Sequence, residues 1–482
     1  MKHLLNILIL LEVTPLLSSA QDSVFNKTYG QIGYNYGEKV IPKSDSGYII
    51  LGNKSGFVGN TDVYIIRTNK TGNFVWDKAY GGSEVNWAED IKPTADGGYI
   101  ITGYMSIPDN NNDYNIMLLK TDSGGNTEWL KNYGGSNWDL GHSVVETADS
   151  GFIIAGETYS FGNGNNDVFL LKTDENGDSL WSKFYGGSNT DIAYDISVCN
   201  DSNFIITGYT NSFGKGGFDS YLLKITPSGD TLWTRTYGDT LDDKTFSGIE
   251  TQDHGIVFTG STMNFNAMGQ DGVIFKADSA GNFLWARVIG GINNEEFYDI
   301  FQNSDESLFM AGYTESFGYT GTKDFYMVKT NKDGWYIFGP SAGGVKTDIA
   351  KSCIPTSDGG YAIIGTTESK GLGISNILLI KTNSVGYLDT SYSQIAGIEE
   401  HSLQNFSIYP NPVSDNLHIN IPTERLFSDI VVYNHIGQVV SKTKPADGHV
   451  TNIDFSGFPE GIYIISLHFK DAIINRKVIH IR

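Results

Sequence analysis

The chain repeats itself seven times. Aligned on itself, it places an aromatic residue at Phe25, Trp76, Trp129, Trp181, Trp233, Trp285 and Phe338, at steps of 51 to 53 residues. A beat of this length marks an array in which each copy is one supersecondary unit that buries its apolar faces only against its neighbours. Four residues after each aromatic comes a turn of the Tyr-Gly-Gly kind, clear at Tyr80-Gly81-Gly82, Tyr133-Gly134-Gly135 and Tyr185-Gly186-Gly187 and decayed at Ile289-Gly290-Gly291 and Ala342-Gly343-Gly344. A second turn opens at Asp45, Asp96, Asp149, Asp201, Asp253, Asp305 and Asp358. A third mark, Asp62, Asn115, Asp167, Asp219, Asp271, Asp324 and Asn376, stands five residues before a basic residue in every copy.

Between the turns the second copy holds four expected strands, at residues 88–94, 99–105, 115–121 and 127–133. The two middle ones are continuous apolar runs (Tyr99-Ile100-Ile101; Ile116-Met117-Leu118-Leu119), the pattern of strands covered on both faces. Blades of a β-propeller, each stacked between two others, produce this pattern. With 57 glycines against 12 prolines the chain is rich in tight turns, and the expected class is all-β. The ladder indoles read as packing between blades. The last copy lacks its fourth strand, Thr390 standing where an eighth aromatic belongs, while the N-terminus carries that strand as a spare, Phe25-Asn26-Lys27-Thr28-Tyr29-Gly30. A seven-bladed propeller closed by the N-terminal strand follows over residues 21–392, then a linker over 393–404 and a small C-terminal β-sandwich over 405–482.

The repeat resembles a bacterial family whose consensus runs Asp-Gly-Gly-Tyr, an apolar strand, Gly-Tyr-Thr, Ser-Phe-Gly, Asp-x-Tyr-Leu-Leu-Lys-Thr-Asp, Gly, Trp, Tyr-Gly-Gly, and covers residues 25–390. Such arrays resemble quinoprotein-like or Kelch-like propellers, a likeness that implies the fold and no particular chemistry. Beyond the linker the order Tyr409-Pro410-Asn411-Pro412, then Val431-Val432-Tyr433-Asn434 with Gly437, then Gly461-Ile462-Tyr463 and a basic last strand resembles the type A sorting domain of the type IX secretion system. That resemblance implies the type IX machinery as a partner, and passage across the outer membrane of a Bacteroidota-type cell to a secreted or surface location. Tyr409, Pro410, Asn411 and Pro412 are its motif positions, and the two prolines also make a rigid turn.

Residues 1–20 read as a secretory signal, with Lys2, an apolar stretch from Leu4 to Leu11, and small residues before a cut between Ala20 and Gln21. No later segment has 18 consecutive apolar residues, so no helical transmembrane span is expected. Cys199 and Cys353 occupy non-equivalent places in different copies and are expected to be buried free thiols. A net charge of −22 argues against nucleic acid as a partner. From Phe406 onward seven acidic and seven basic residues balance, so the excess negative charge lies on the repeats, where it favours solubility.

Candidate binding residues are those off the ladder. Trp87 and Trp138 follow the Tyr-Gly-Gly turns of adjacent copies, where they form a stacking platform for sugar rings or pack into the loop layer. At the same turns stand Asn35, Asn86, Asp139, Asp191, Asp243, Glu295 and Asp348. Five carboxylates facing one another would attract calcium or a polyhydroxyl ligand; the alternative is local capping of turns. No His-Glu-x-x-His, Gly-x-Ser-x-Gly or paired-cysteine motif is present, and copy lengths leave no room for long catalytic loops. The segment from Lys172 to Trp181 resembles both the tryptophan-docking motif of quinoprotein dehydrogenases and a lengthened sialidase Asp box, motifs that are structural in those families. No catalytic residue or cofactor is expected. The sequence therefore points to a non-catalytic binding or adhesion module for an extracellular glycan or envelope protein, with a polysaccharide-acting propeller enzyme or a purely structural surface component as alternatives.

Overall fold

The computed structural model describes residues 24–55, 60–82, 84–107, 113–263, 269–319, 321–384 and 386–387, and, towards the C-terminus, 407–409, 413–420, 427–434, 439–444, 450–469 and 473–480. The chain divides into two compact units, residues 1–389 and 390–482. Every regular element among the described residues is a strand.

The first unit is a series of antiparallel four-stranded sheets that resemble propeller blades, here numbered along the chain: sheet 1 (residues 34–80), sheet 2 (86–133), sheet 3 (139–185), sheet 4 (191–237), sheet 5 (243–289), sheet 6 (295–342) and sheet 7 (348–382). In sheet 2 the strands run Asn86–Pro93, Tyr99–Ser106, Tyr114–Thr121 and Thr127–Tyr133, each pairing with the next. The apolar runs have the expected cause. Alternate side chains of one strand enter different cores: Ile101 packs with Ile49 and Leu51 of sheet 1, and its neighbour Ile100 packs with Phe152 and Ile154 of sheet 3. At about 1.5–3 kcal/mol for each large apolar side chain buried, these inter-sheet cores dominate stability.

Sheet 7 takes its fourth strand from the N-terminus. Phe25–Tyr29 pairs antiparallel with Asn376–Thr382, Phe25 opposite Lys381 and Tyr29 opposite Ile377. Val40, Ile50 and Ile66 of sheet 1 share a core with Ala362, Ile364 and Leu379 of sheet 7. The outer strand of sheet 6 is split into Tyr336–Phe338 and Ser341–Ala342, because Pro340 between them has no N–H to continue a ladder.

The marks of the repeat become contacts. The Tyr80 hydroxyl donates to the Gly125 carbonyl of the next sheet (2.5 Å), Tyr185 to Gly229 (2.5 Å) and Tyr237 to Gly281 (2.7 Å). Gly125, with φ +74°, lies against the Trp76 ring at a distance where a Cβ would collide. On the third strands Lys120, Lys172, Lys224, Lys276 and Lys381 are buried, and each ammonium reaches the aspartate of its own sheet's second turn, Asp96, Asp149, Asp201, Asp253 and Asp358, at 2.7 to 2.9 Å. Cys199 and Cys353 are buried free thiols.

The second unit has a three-stranded sheet (Ser407–Tyr409, Asn416–Asn420, Val450–Asp454) and a four-stranded one ordered Val439–Thr443, Phe427–Asn434, Gly461–Phe469, Ile473–His480. Leu417, Ile419 and Ile453 of the first pack with Ile430, Val432, Ile465 and Leu467 of the second. Tyr409 ends the first strand. Pro410, Asn411 and Pro412, like Ala20 and Gln21, lie outside the described residues.

Candidate functional site

The repeated carboxylates act as local turn caps, one of the two roles the sequence offers them. Asp139, Asp191, Asp243, Glu295 and Asp348 are all fully buried, each capping the turn before its own strand. Asp191 accepts from the Gly187 N–H (2.8 Å), the Ser212 hydroxyl (2.6 Å) and Thr210. Asp139 does the same with Gly135, Ser160 and Thr158, and Glu295 with Gly291 and Thr314. Asp243 accepts from the Asp239 N–H and Thr262, and Asp348 from Ser369. Their lone pairs are spent on backbone and hydroxyl donors, as Asx-type capping requires. Among the described residues no group of three or more His, Cys, Asp or Glu side chains is placed to hold a metal ion.

Trp87 and Trp138 are brought into one aromatic arc, though not into mutual contact. Tyr104 and Tyr114 stand between them: Trp87 stacks on Tyr104 (6.3 Å between centroids), Tyr104 meets Tyr114 edge to face (5.4 Å), and Tyr114 meets Trp138 likewise (5.4 Å). The arc extends through Tyr36 (5.1 Å from Trp87) to Tyr34 at one end, and to Tyr159 at the other. Trp138 is 45% exposed and Tyr159 43%. A row of half-exposed rings over three sheets presents both flat faces and polar edges, the combination that suits sugar rings. Trp335, the remaining off-ladder indole, stacks under the Arg287 guanidinium at 4.2 Å.

A second constellation comes from the backbone. The first strand of every sheet carries a β-bulge, and the residue skipped by the pairing is Glu38, Glu89, His142, Tyr194, Phe246, Tyr298 or Lys351 in sheets 1 to 7. A bulge re-aims its extra side chain. These seven line one cavity of about 400 Å³, within the range of roughly 300–1,000 Å³ typical of small-molecule sites. Each stands thirteen residues after a ladder aromatic. Sequence reasoning passed them over, although the signal was present: at that one beat position the residue type changes from copy to copy through acid, imidazole, aromatic and amine.

The next residue round the series alternates Asp90, Ser143, Asp195, Ser247, Asp299 and Ser352, with Lys39 completing the set. Ser143 donates to Asp90 (3.0 Å) and reaches Asp195 (3.1 Å), Ser247 reaches Asp195 (3.0 Å), and Lys39 reaches Asp299 (3.3 Å). The Val144, Gly248 and Cys353 N–H groups donate to the aspartate of the preceding sheet, Asp90, Asp195 and Asp299, at 2.9 to 3.1 Å. This hydrogen-bonded belt fixes the bulges.

The cavity wall carries charges of both signs. Around sheets 1 to 3 stand Glu38, Glu89 and His142. The imidazole is 2.7 Å from Glu89 and 3.4 Å from Glu157; burial disfavours its charge, but the two carboxylates outweigh burial and raise its pKa to about 10. Burial pushes Glu38 up to about 7, opposed by Lys351 and aided by Glu89. Sheets 3 to 7 supply a stack in which His142 lies on Tyr194 (4.7 Å), Tyr194 and Phe246 meet at 5.0 Å, Phe246 and Tyr298 at 5.2 Å, and the Lys351 ammonium sits 3.8 Å from the centre of Tyr298.

With this geometry in hand, residues 407–482 match the model of the secretion system C-terminal sorting domain family. The tail is a type IX sorting domain. A chain carrying a sorting domain of this kind is secreted and attached to the cell surface, and the domain is the part that addresses the type IX machinery. Other comparisons are looser. The chain is 34% identical over 61 residues to β-agarase A of Zobellia galactanivorans, a match that spans 13% of this chain and 11% of that protein. Among solved structures it is similar to PorZ, an essential bacterial surface component of the type-IX secretion system of Porphyromonas gingivalis, with 12% identity, coverage of 91% of this chain and 69% of that one, and a TM-score of 0.35. It is also similar to the β-propeller domain of the Trilobed protease from Pyrococcus furiosus, with 10% identity, coverage of 74% and 99%, and a TM-score of 0.41.

Proposed function

We propose that the seven sheets close into a seven-bladed propeller which, delivered to the cell surface by its sorting domain, serves as a non-catalytic binding or adhesion module for an extracellular glycan. Closure is supported by the seam. The contact that joins consecutive sheets recurs there, the Tyr29 hydroxyl donating to Gly72 (2.6 Å) as Tyr80 does to Gly125, so the last sheet meets the first as the others meet each other. Glycan binding is carried by the aromatic arc from Tyr34 to Tyr159, whose rings are held by one another and so are ordered before a sugar arrives; preorganised side chains lose little entropy on binding. An envelope protein is a second ligand class for the same surface.

The full chain on a glycan array, compared with Trp87→Ala and Trp138→Ala, tests the reading. Binding weakened by either substitution, with melting unchanged, supports it. Uniform absence of glycan binding refutes the glycan reading and leaves an envelope-protein ligand or a structural surface component. The cavity carboxylates Glu38 and Glu89 favour one further reading, a propeller enzyme acting on polysaccharide, in which Glu38 would deliver a proton near neutral pH. Release of shortened oligosaccharides from a bound polymer, lost in Glu38→Gln, would establish that reading in place of the first.

A further inference from the structure

The cations of the cavity are of two kinds. His142 is clamped between Glu89 and Glu157, and Lys39 is held by Asp299, so both charges are neutralised within the wall. Lys244 and Lys351 are placed differently. Their ammonium groups lie over ring faces, Lys351 at 3.8 Å from the centre of Tyr298 and Lys244 at 5.3 Å from Tyr209 and 4.5 Å from Phe218. Lys351 has no ion pair within 4 Å among the described residues, though its charge acts on the Glu38 carboxyl across the cavity, and Lys244 has one long contact, 3.6 Å to Asp242. Both line the cavity, together with Phe246, Tyr298 and Glu296, and the Gln270 amide there is held by Ser261 and Glu296. An aromatic face orients a lysine without consuming its hydrogen bonds as a carboxylate would.

We infer that this cavity binds an acidic sugar unit of the glycan, with Lys244 and Lys351 taking its carboxylate or sulfate group and the Phe246 and Tyr298 rings taking its apolar face. Trp87 of the aromatic arc stands two residues before Glu89 of the cavity wall on the same strand. The overall charge of −22 repels anions, so an acidic sugar is selected only where cations are local and partly screened from bulk water. The inference rests on the glycan-binding reading and adds to it the charge of the bound unit.

The test is an array of oligosaccharides in which each neutral backbone is paired with its carboxylated and its sulfated counterpart, read with the full chain, the Lys244→Gln/Lys351→Gln double variant, Lys351→Arg, and the double alanine variant of Trp87 and Trp138. The expected result is an acidic member bound roughly tenfold or more tighter than its neutral counterpart, the scale of one charge-assisted hydrogen bond. The double glutamine variant should lose that preference and keep neutral binding, Lys351→Arg should retain it, and the indole variant should weaken both members alike. Carboxylated and sulfated arms separate the two sources of charge. Equal binding of neutral and acidic members, or a preference that survives the glutamine pair, overturns the inference while leaving the glycan reading standing; absence of binding to every member sinks both. Melting curves of each variant separate lost recognition from lost folding.

Discussion

If the seven sheets close as proposed, deleting residues 24–30 should open the repeat unit at its seam. The lost strand, Phe25–Tyr29, pairs along its whole length with Asn376–Thr382. Its Phe25 ring lies edge-on to Tyr48 at 6.2 Å, and its Tyr29 hydroxyl is 2.6 Å from the Gly72 carbonyl. Backbone bonding contributes about 1 kcal/mol per bond, and half-burial of two aromatic rings about 1.5 kcal/mol each. Ordering the strand costs about 1 kcal/mol per residue, which leaves a net contribution of about 4 kcal/mol. For a unit of this size the unfolding entropy converts that into a fall of about 5 °C in the melting temperature of the repeat unit. Scanning calorimetry on the full chain reads the fall. A synthetic peptide of residues 24–30 should restore the parent transition by re-pairing with the exposed edge, which is otherwise a site for association between chains. A melting temperature within about 1 °C of the parent, together with no effect of the peptide, would refute closure through this strand.

Asp191→Ala should destabilise the repeat unit by about 3 kcal/mol in denaturant melts, since it strands the Gly187 N–H and two hydroxyls in a buried site, and calcium should leave the parent's melting unchanged. Asp96, Asp149 and Asp253 are held at about 2, below the ordinary carboxylate value, by donors that include their buried lysines. A depressed folded-state pKa stabilises above the unfolded value and is lost below it, so thermal stability should decline as pH falls from about 4 to about 2. The decline should shrink at high salt, because these carboxylates are mostly solvent-facing. His142 has the opposite sign: its raised pKa stabilises fully below about 6.5 and the contribution disappears as pH rises towards 10, so melting temperature should fall across that window in the parent and stay flatter in His142→Gln. Cys353, whose thiol burial drives well above its ordinary value, should resist alkylation until the protein unfolds.

The sequence shows its repeats because packing between like sheets demands the same side chain at the same step: the ladder aromatics each meet a glycine of the next sheet, and only a small residue fits there. Strand positions were legible for the same reason, those of sheet 2 differing from the structure by at most two residues. Two strands of the tail, Ser407–Tyr409 and Val450–Asp454, carry no comparable signal, because each is short and lacks a repeat to compare with.

Periodicity and composition by themselves pointed to an all-β chain and to an N-terminal strand that belongs with the last repeat, and the resemblance carried by the motifs of the tail implied an export address. All three rest on local chemistry or on similarity between copies, and both are written along the chain. Tertiary structure decided which repeated residues face inward. The acidic mark after each Tyr-Gly-Gly turn became a buried cap, because donors 19 to 21 residues further on fold back to meet it. The residue thirteen places after each ladder aromatic became the cavity wall, because a bulge turns it out of the strand's alternation. Neither outcome follows from residue type, since a carboxylate serves equally as cap or as ligand until the backbone determines what it faces.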